Sequence, residues 1–156
     1  MTSQNCPAKE GKYLAFTLGQ EDYGLEIMKV REIIGMMNIT AVPQVPGYVK
    51  GVINLRGKVI PIIDLRLKFG MPSIDATAET CIIIIDVNDM LIGIVIDKVN
   101  EVLDITQGQI EPIPHFGSNV HTDYILGIGK VNDSVKILLN IEKILSEDLS
   151  VANKLL

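Results

Sequence analysis

The chain has 156 residues, 47% hydrophobic and only 4% aromatic, with no tryptophan and a formal net charge of −5. That length suits one domain or two very small ones, and the core has to be aliphatic, rich in the β-branched side chains that fit a pleated sheet. The acidic balance argues against a nucleic-acid binder, which needs a basic face, and against adhesion to anionic lipid.

Residues 1–12, MTSQNCPAKEGK, read as a flexible polar tail without the apolar stretch of a secretory signal. The longest apolar run, Cys81 to Ile85, is far short of the ~20 residues of a membrane span. A soluble, cytoplasmic protein without membrane insertion is therefore expected. Cys6 and Cys81 are too few for a disulfide framework.

The first strand is YLAFTL (13–18), followed by the polar turn LGQEDYG and by YGLEIMKVREII (23–34), a strand that ends on a glutamate. AVPQVPGY (41–48) is a connection in which each proline fixes φ and removes a donor. The hairpin YVKGVINLRGKVIPIIDL (48–65) carries Arg56 beside the turn glycine Gly57. One or two helical turns fit 63–70, with Gly70 as the stop.

The order then starts again. IIIIDV (82–87) matches YLAFTL, and IGIVIDKVNEVL (92–103) matches YGLEIMKVREII, with Gly24 on Gly93 and an offset of 69. YILGIGKVNDSVKILLNI (124–141) matches the 48–65 hairpin, with Tyr48 on Tyr124 and an offset of 76. The difference is a seven-residue insertion in the second copy. The chain is one β-rich unit written twice, which suggests small barrels or a sandwich rather than βαβ units. An amphipathic C-terminal helix fits 140–156, with Ile141, Ile144, Leu145 and Leu149 on one face.

The catalytic inventory is thin. His115, His121 and Asp123 share the loop PIPHFGSNVHTDY but match no metal spacing, so no metal or cofactor is expected. Cys81, beside four isoleucines, reads as buried and inert. GIGKVND (127–133) lacks the third glycine and the following helix of a phosphate loop. Asp64, Asp86 and Asp97 sit at strand ends, where capping and turn roles suffice. The second copy has Asn132-Asp133 where the first has Arg56-Gly57. A residue needed by the fold would recur, so Arg56 is assigned to a surface used by the first copy alone.

From about Tyr13 to about Leu145 the chain resembles the CheW family of chemotaxis coupling (scaffold) proteins, most specifically through PQVPGYVKGVINLRGKVIPIIDLRLKFG (43–70), YGLEIMKVREI (23–33) and IGIVIDKV (92–99). The resemblance implies a mainly β protein of two tandem SH3-like five-stranded barrels with a short C-terminal helix. The boundaries expected are 13–75 and 76–145, with a helix or tail at 146–156 and strands that exchange between barrels. It implies no enzymatic activity and no cofactor. The partners implied are the regulatory domain of the histidine kinase CheA and the cytoplasmic tip of chemoreceptors, in arrays at the membrane. Carried onto this sequence, the protein-binding positions are Val30 and Glu32 on one strand and Gly51, Arg56 and Gly57 on the hairpin, with Ile27, Ile33, Gly93 and Val102 lining a groove between barrels. Arg56 is expected to be exposed and held by Glu32. An equivalent coupling protein of a pilus-motility or other sensory array fits the same motifs. A small β-barrel enzyme or a nucleic-acid-binding barrel fits the chemistry less well.

Overall fold

The computed structural model describes residues 8–113 and 122–148. Among the described residues, eleven strands and two short helices follow in chain order: β1 (Gly11–Leu18), β2 (Glu21–Glu26), β3 (Val30–Gly35), β4 (Val49–Leu55), β5 (Lys58–Asp64), α1 (Leu65–Lys68), β6 (Cys81–Val87), β7 (Met90–Ile96), β8 (Lys98–Ile105), β9 (Ile110–Glu111), β10 (Ile125–Val131), β11 (Ser134–Leu139) and α2 (Ile141–Leu145). A 3-10 turn at Ile27–Lys29 separates β2 from β3.

The strands form two sheets, ordered β8-β1-β2-β11-β10-β9 and β3-β6-β7-β5-β4. Unit 1 contains the chain up to Ile27 and Asn100–Ile144; unit 2 contains Met28–Val99 and the chain from Leu145. Neither unit is a contiguous half. Position 75, where the contiguous division was drawn, falls inside unit 2, in the run between α1 and β6. Each sheet takes its middle hairpin from the other copy: β1–β2 enters the sheet of β10–β11, and β6–β7 enters the sheet of β4–β5. The chain fold is mainly β, as expected, with an exchange of hairpins between copies.

The two sheets share one register. Leu14 faces Leu25 and Ala15 faces Gly24 in β1–β2; Ile83 faces Ile94 and Ile84 faces Gly93 in β6–β7. Both β4–β5 and β10–β11 carry a bulge at the equivalent place, between Val49 and Gly51 and between Ile125 and Gly127. The β4–β5 sheet is drawn round on itself where the run after β3 reaches β4, through the Thr40–Val52 bridge and its hydrogen bonds of 2.8 and 2.9 Å. Gly51 lies under that bridge at φ +138°, and a Cβ there would stand 2.0 Å from the Thr40 carbonyl oxygen. Glycine is required at that point because backbone covers it.

The exchanged hairpins join by parallel pairing. Gly93 faces Ile62 in β7–β5 and Gly24 faces Leu138 in β2–β11. A Cβ on Gly93 would lie 2.6 Å from Ile62 Cδ1 and 2.8 Å from Ile82 Cγ2; on Gly24 it would lie 2.9 Å from Leu138 Cδ2. In both units a missing side chain makes the space that one large aliphatic residue fills. Ile53, Ile60, Ile62, Ile82 and Ile84 form the core of unit 2, and Tyr13, Ile105, Ile110, Val131 and Leu138 form that of unit 1.

Helices α1 and α2 are also equivalent. Asp64 Oδ1 accepts from Leu67 N at 3.2 Å, and Asn140 Oδ1 accepts from Lys143 N at 3.1 Å, each meeting an amide that the helix leaves unpaired. The helix expected over 140–156 is described only as the five residues of α2, with Ile141, Ile144 and Leu145 buried; Leu149 lies outside the described residues. Past Leu145 the chain turns, and Asp148 takes the Tyr48 hydroxyl at 2.9 Å and the Lys68 ammonium at 3.1 Å. The side chains of Lys68 and Asp148 are 5% and 2% exposed. Burial alone would depress the Lys68 ammonium, but its bonds to Asp148 and Tyr48 outweigh it and raise the pKa.

The Gly93–Ile62 contact gives a direct test of this packing. Gly93→Ala is expected to lower the unfolding free energy by about 1–3 kcal/mol, the cost of overpacking a filled core, measured by urea melts. Adding Ile62→Val should recover part of the loss by vacating Cδ1.

Candidate functional site

The turn joining β4 to β5 is Arg56-Gly57, with φ of +51° and +89°. Positive φ at both central residues marks a type I′ turn, which favours Asn, Asp and Gly. The equivalent turn of β10–β11 obeys that preference with Asn132 and Asp133 at +50° and +63°, and the β6–β7 turn does so with Asn88 and Asp89 at +51° and +67°. Arginine in a left-handed conformation costs roughly 1–2 kcal/mol. The Asn54 carboxamide oxygen offsets part of this by accepting from Gly57 N at 3.0 Å. A turn that two other hairpins build from Asn-Asp thus carries a guanidinium at a conformational cost, which points to use of the side chain.

Arg56 is 69% exposed and its Nη2 is ion-paired with Glu32 Oε1, the carboxylate being 33% exposed. Beside it Arg31 Nη2 donates to Asp86 Oδ2 at 2.7 Å. Between these pairs lies a hollow of about 340 Å³ lined by Arg31, Glu32, Leu55, Arg56, Lys58, Ile60 and Leu91. Its floor is aliphatic and its rim charged. That volume is at the low end of small-molecule sites.

The equivalent place in unit 1 has a different chemistry on the same frame. Arg31 and Asp86 become Asn100 and Thr17, linked by a hydrogen bond of 3.0 Å. Ile60 and Leu91 become Lys136 and Asp22, an ion pair at 2.8 Å. The Lys136 hydrogen bond holds the Asp22 carboxyl below its ordinary pKa. A salt bridge sits where unit 2 has an apolar floor, and Asn132 sits where unit 2 has Arg56.

The structure brings Glu32, Arg56 and Gly57 together on unit 2, with Val30 half-buried and Ile33 exposed on β3. Gly51 and Gly93 are buried. The sequence reading placed Gly93 on a groove, in the barrel opposite Arg56; it lies instead inside unit 2, beneath Ile62, Ile82 and Ile84. The hairpin exchange moves it there, and its missing side chain serves packing. Ile27, half-buried, and Val102, 49% exposed, belong to unit 1. Arg31, Leu55, Lys58, Ile60 and Leu91 were not singled out from sequence, and Asp86 was given only a capping or turn role, although comparison of the two copies carries the signal: Ile60 against Lys136 and Leu91 against Asp22.

His115 and His121 lie outside the described residues, as does Cys6. Among the described residues no group of three or more His, Cys, Asp or Glu side chains is placed to hold a metal ion. Burial raises the Cys81 thiol above its usual pKa, which lowers its thiolate fraction. Among the described residues, no helix is long and apolar enough to cross a membrane.

The family model described as the CheW-like domain matches residues 12–149. The chain belongs to the CheW-like family. The chemotaxis protein CheW of Klebsiella aerogenes is 42% identical over 137 residues, covering 88% of this chain and 82% of that one. The chemotaxis protein CheW of Helicobacter pylori is 38% identical over the same shares. The crystal structure of the scaffolding protein TtCheW from Thermoanaerobacter tengcongensis matches with a TM-score of 0.79 at 34% identity, covering 87% of this chain and 92% of that one. The two-sheet architecture is thus a CheW-like fold, and its charged hairpin face is a property of one copy of the repeat.

If Arg56 is kept for its side chain, the fold should not need it. Arg56→Asn relieves the turn and loses an exposed ion pair worth at most about 1 kcal/mol. The expected unfolding free energy in denaturant melts equals that of the parent or exceeds it by up to about 1 kcal/mol. A loss of more than about 2 kcal/mol would mark the arginine as structural.

Proposed function

We propose that this chain is a non-catalytic adaptor that couples chemoreceptors to the histidine kinase CheA in bacterial chemotaxis, working in the cytoplasm at membrane-bound receptor arrays. The observation that carries this reading is the asymmetry between two equivalent faces. Unit 2 shows an aliphatic hollow rimmed by Arg56–Glu32 and Arg31–Asp86; unit 1 fills the corresponding place with the Lys136–Asp22 pair. An aliphatic hollow framed by charge suits protein recognition. Arginine contributes five donors and a flat stacking surface, and arginines recur as interface anchors. Membership of the CheW-like family, with relatives named as chemotaxis and scaffolding proteins, supports the same reading.

In this proposal Val30, Glu32, Ile33, Arg56 and Gly57 form the recognition surface of unit 2. Gly51 lies toward the other end of β4 from the turn, where it admits the Thr40 backbone. Ile27 and Val102 offer apolar surface on unit 1. Glu32 directs the guanidinium, since a carboxylate partner fixes its plane.

The test is titration calorimetry against a CheA regulatory domain and, separately, a receptor-tip fragment. Arg56→Ala should weaken binding to at least one of them by about 1–3 kcal/mol, whereas Asn132→Ala, at the equivalent turn, should leave both nearly unchanged. Equal losses for the two variants, or none for Arg56→Ala, would refute the assignment of this face.

A further inference from the structure

Both cores are built jointly by the two copies. In unit 2, Ile53, Ile60 and Ile62 come from the first copy, while Ile82 and Ile84 come from the second. In unit 1, Ala8 and Tyr13 come from the first, while Ile105, Ile110, Val131 and Leu138 come from the second. The sheet orders contain four pairings between copies: β8–β1, β2–β11, β3–β6 and β7–β5. Taken alone, the first copy keeps the β1–β2 and β4–β5 hairpins, with β3 unpaired. Isolated two-stranded hairpins are at best marginally stable in water.

The covalent link between copies makes little of this. Residues 72–79 are exposed throughout and belong to no strand or helix. Their hydrogen bonds are local, among Thr77, Glu79 and Thr80, apart from the Pro72 carbonyl, which accepts from Arg66 Nη1 at 3.0 Å. An exposed Glu79–Lys98 contact at 3.5 Å completes the set. Ser73, Ile74, Asp75 and Ala76 take part in none of these bonds and only line an open hollow beside Lys50, Arg66, Val95 and Asp97.

We propose that the two half-chains, divided within 73–76, are obligate binding partners of each other, and that the 72–79 segment is a tether that raises their effective concentration without contributing to the folded interface. The partner surface that each half presents is a set of four open strand edges, and the partner that fits is the complementary half of the same repeat. The interface is specified by register and by the glycine–aliphatic pairs Gly93–Ile62 and Gly24–Leu138, each of which spans the two halves.

The test uses the full chain with a site-specific protease sequence inserted between Asp75 and Ala76, purified folded and then cut under native conditions. The two fragments are expected to co-elute at the uncut volume. The melting midpoint, independent of protein concentration before cutting, should rise with concentration afterwards, because unfolding now separates two chains. Fragments separated in denaturant should regain a β-sheet circular dichroism spectrum only when mixed one to one. Should the insertion disturb folding, the same protease sequence placed between Ile74 and Asp75, in the same exposed run, gives the same readouts. The proposal is overturned if the fragments elute apart natively, if the midpoint stays independent of concentration after cutting, or if either fragment melts cooperatively by itself.

Discussion

The rest of this structure depends on two parallel strand contacts, β5 with β7 and β2 with β11. Each brings a hairpin of one copy into the sheet of the other, and each places a glycine opposite a large aliphatic residue. Antiparallel hairpins form locally and set their own register through a two-residue turn. Parallel contacts have no such local guide, so their register has to come from side chains. Gly93 against Ile62 and Gly24 against Leu138 supply it: a shift by one residue would bring a side chain into space that is already filled, since a Cβ on either glycine lies under 3 Å from a neighbour. The repeated bulge at Gly51 and Gly127 bends each outer hairpin at the same point, and Asp64 and Asn140 start each following helix in the same way.

A scaffold specified twice leaves the exposed ends free to differ. The two copies agree where packing demands it and diverge at the hairpin face. Arg56 and Asn132 occupy equivalent turns at nearly the same φ. Arginine is the poorer choice for that backbone and the better one for recognition. The apolar floor of Ile60 and Leu91 and the ion pair of Lys136 and Asp22 also occupy equivalent places, the first lining a hollow and the second satisfying itself. The charges around the hollow, Arg31 with Asp86 and Arg56 with Glu32, are paired within the chain, so the face carries an oriented set of donors and acceptors rather than free charge.

Much of the frame was legible in the sequence because the repeat is written at constant offsets, and an offset fixes which residues are equivalent. It does not fix which copy a hairpin joins. Tyr48 and Tyr124 are equivalent whether sheets form within copies or across them, so the contiguous halves 13–75 and 76–145 and the exchanged units use the same alignment. The misplacement of Gly93 follows from this: placed in a separate barrel it reads as groove, and placed beside Ile62 it is core. Of the C-terminal helix the described residues show Ile141–Leu145, where Ile141, Ile144 and Leu145 have helical spacing, while the placement of Asp148 is set by Lys68 and Tyr48, 80 and 100 residues away in the chain. Arg56 was legible for the opposite reason: it breaks the repeat, and its partner Glu32 lies on the strand next in the motif. Its neighbours Leu55, Ile60 and Leu91 look like ordinary strand residues until they are compared with Val131, Lys136 and Asp22.

The central claim is that the Arg56–Glu32 pair serves recognition and not folding. A double-mutant cycle of Arg56→Ala and Glu32→Ala, read once by denaturant unfolding and once by calorimetric binding to a CheA regulatory domain or receptor-tip fragment, tests it most directly. The account predicts a coupling energy of at most about 1 kcal/mol in unfolding, as for an exposed ion pair, and a coupling of roughly 1–3 kcal/mol in binding to at least one partner. A coupling found in unfolding alone, with none in binding to either partner, would contradict it.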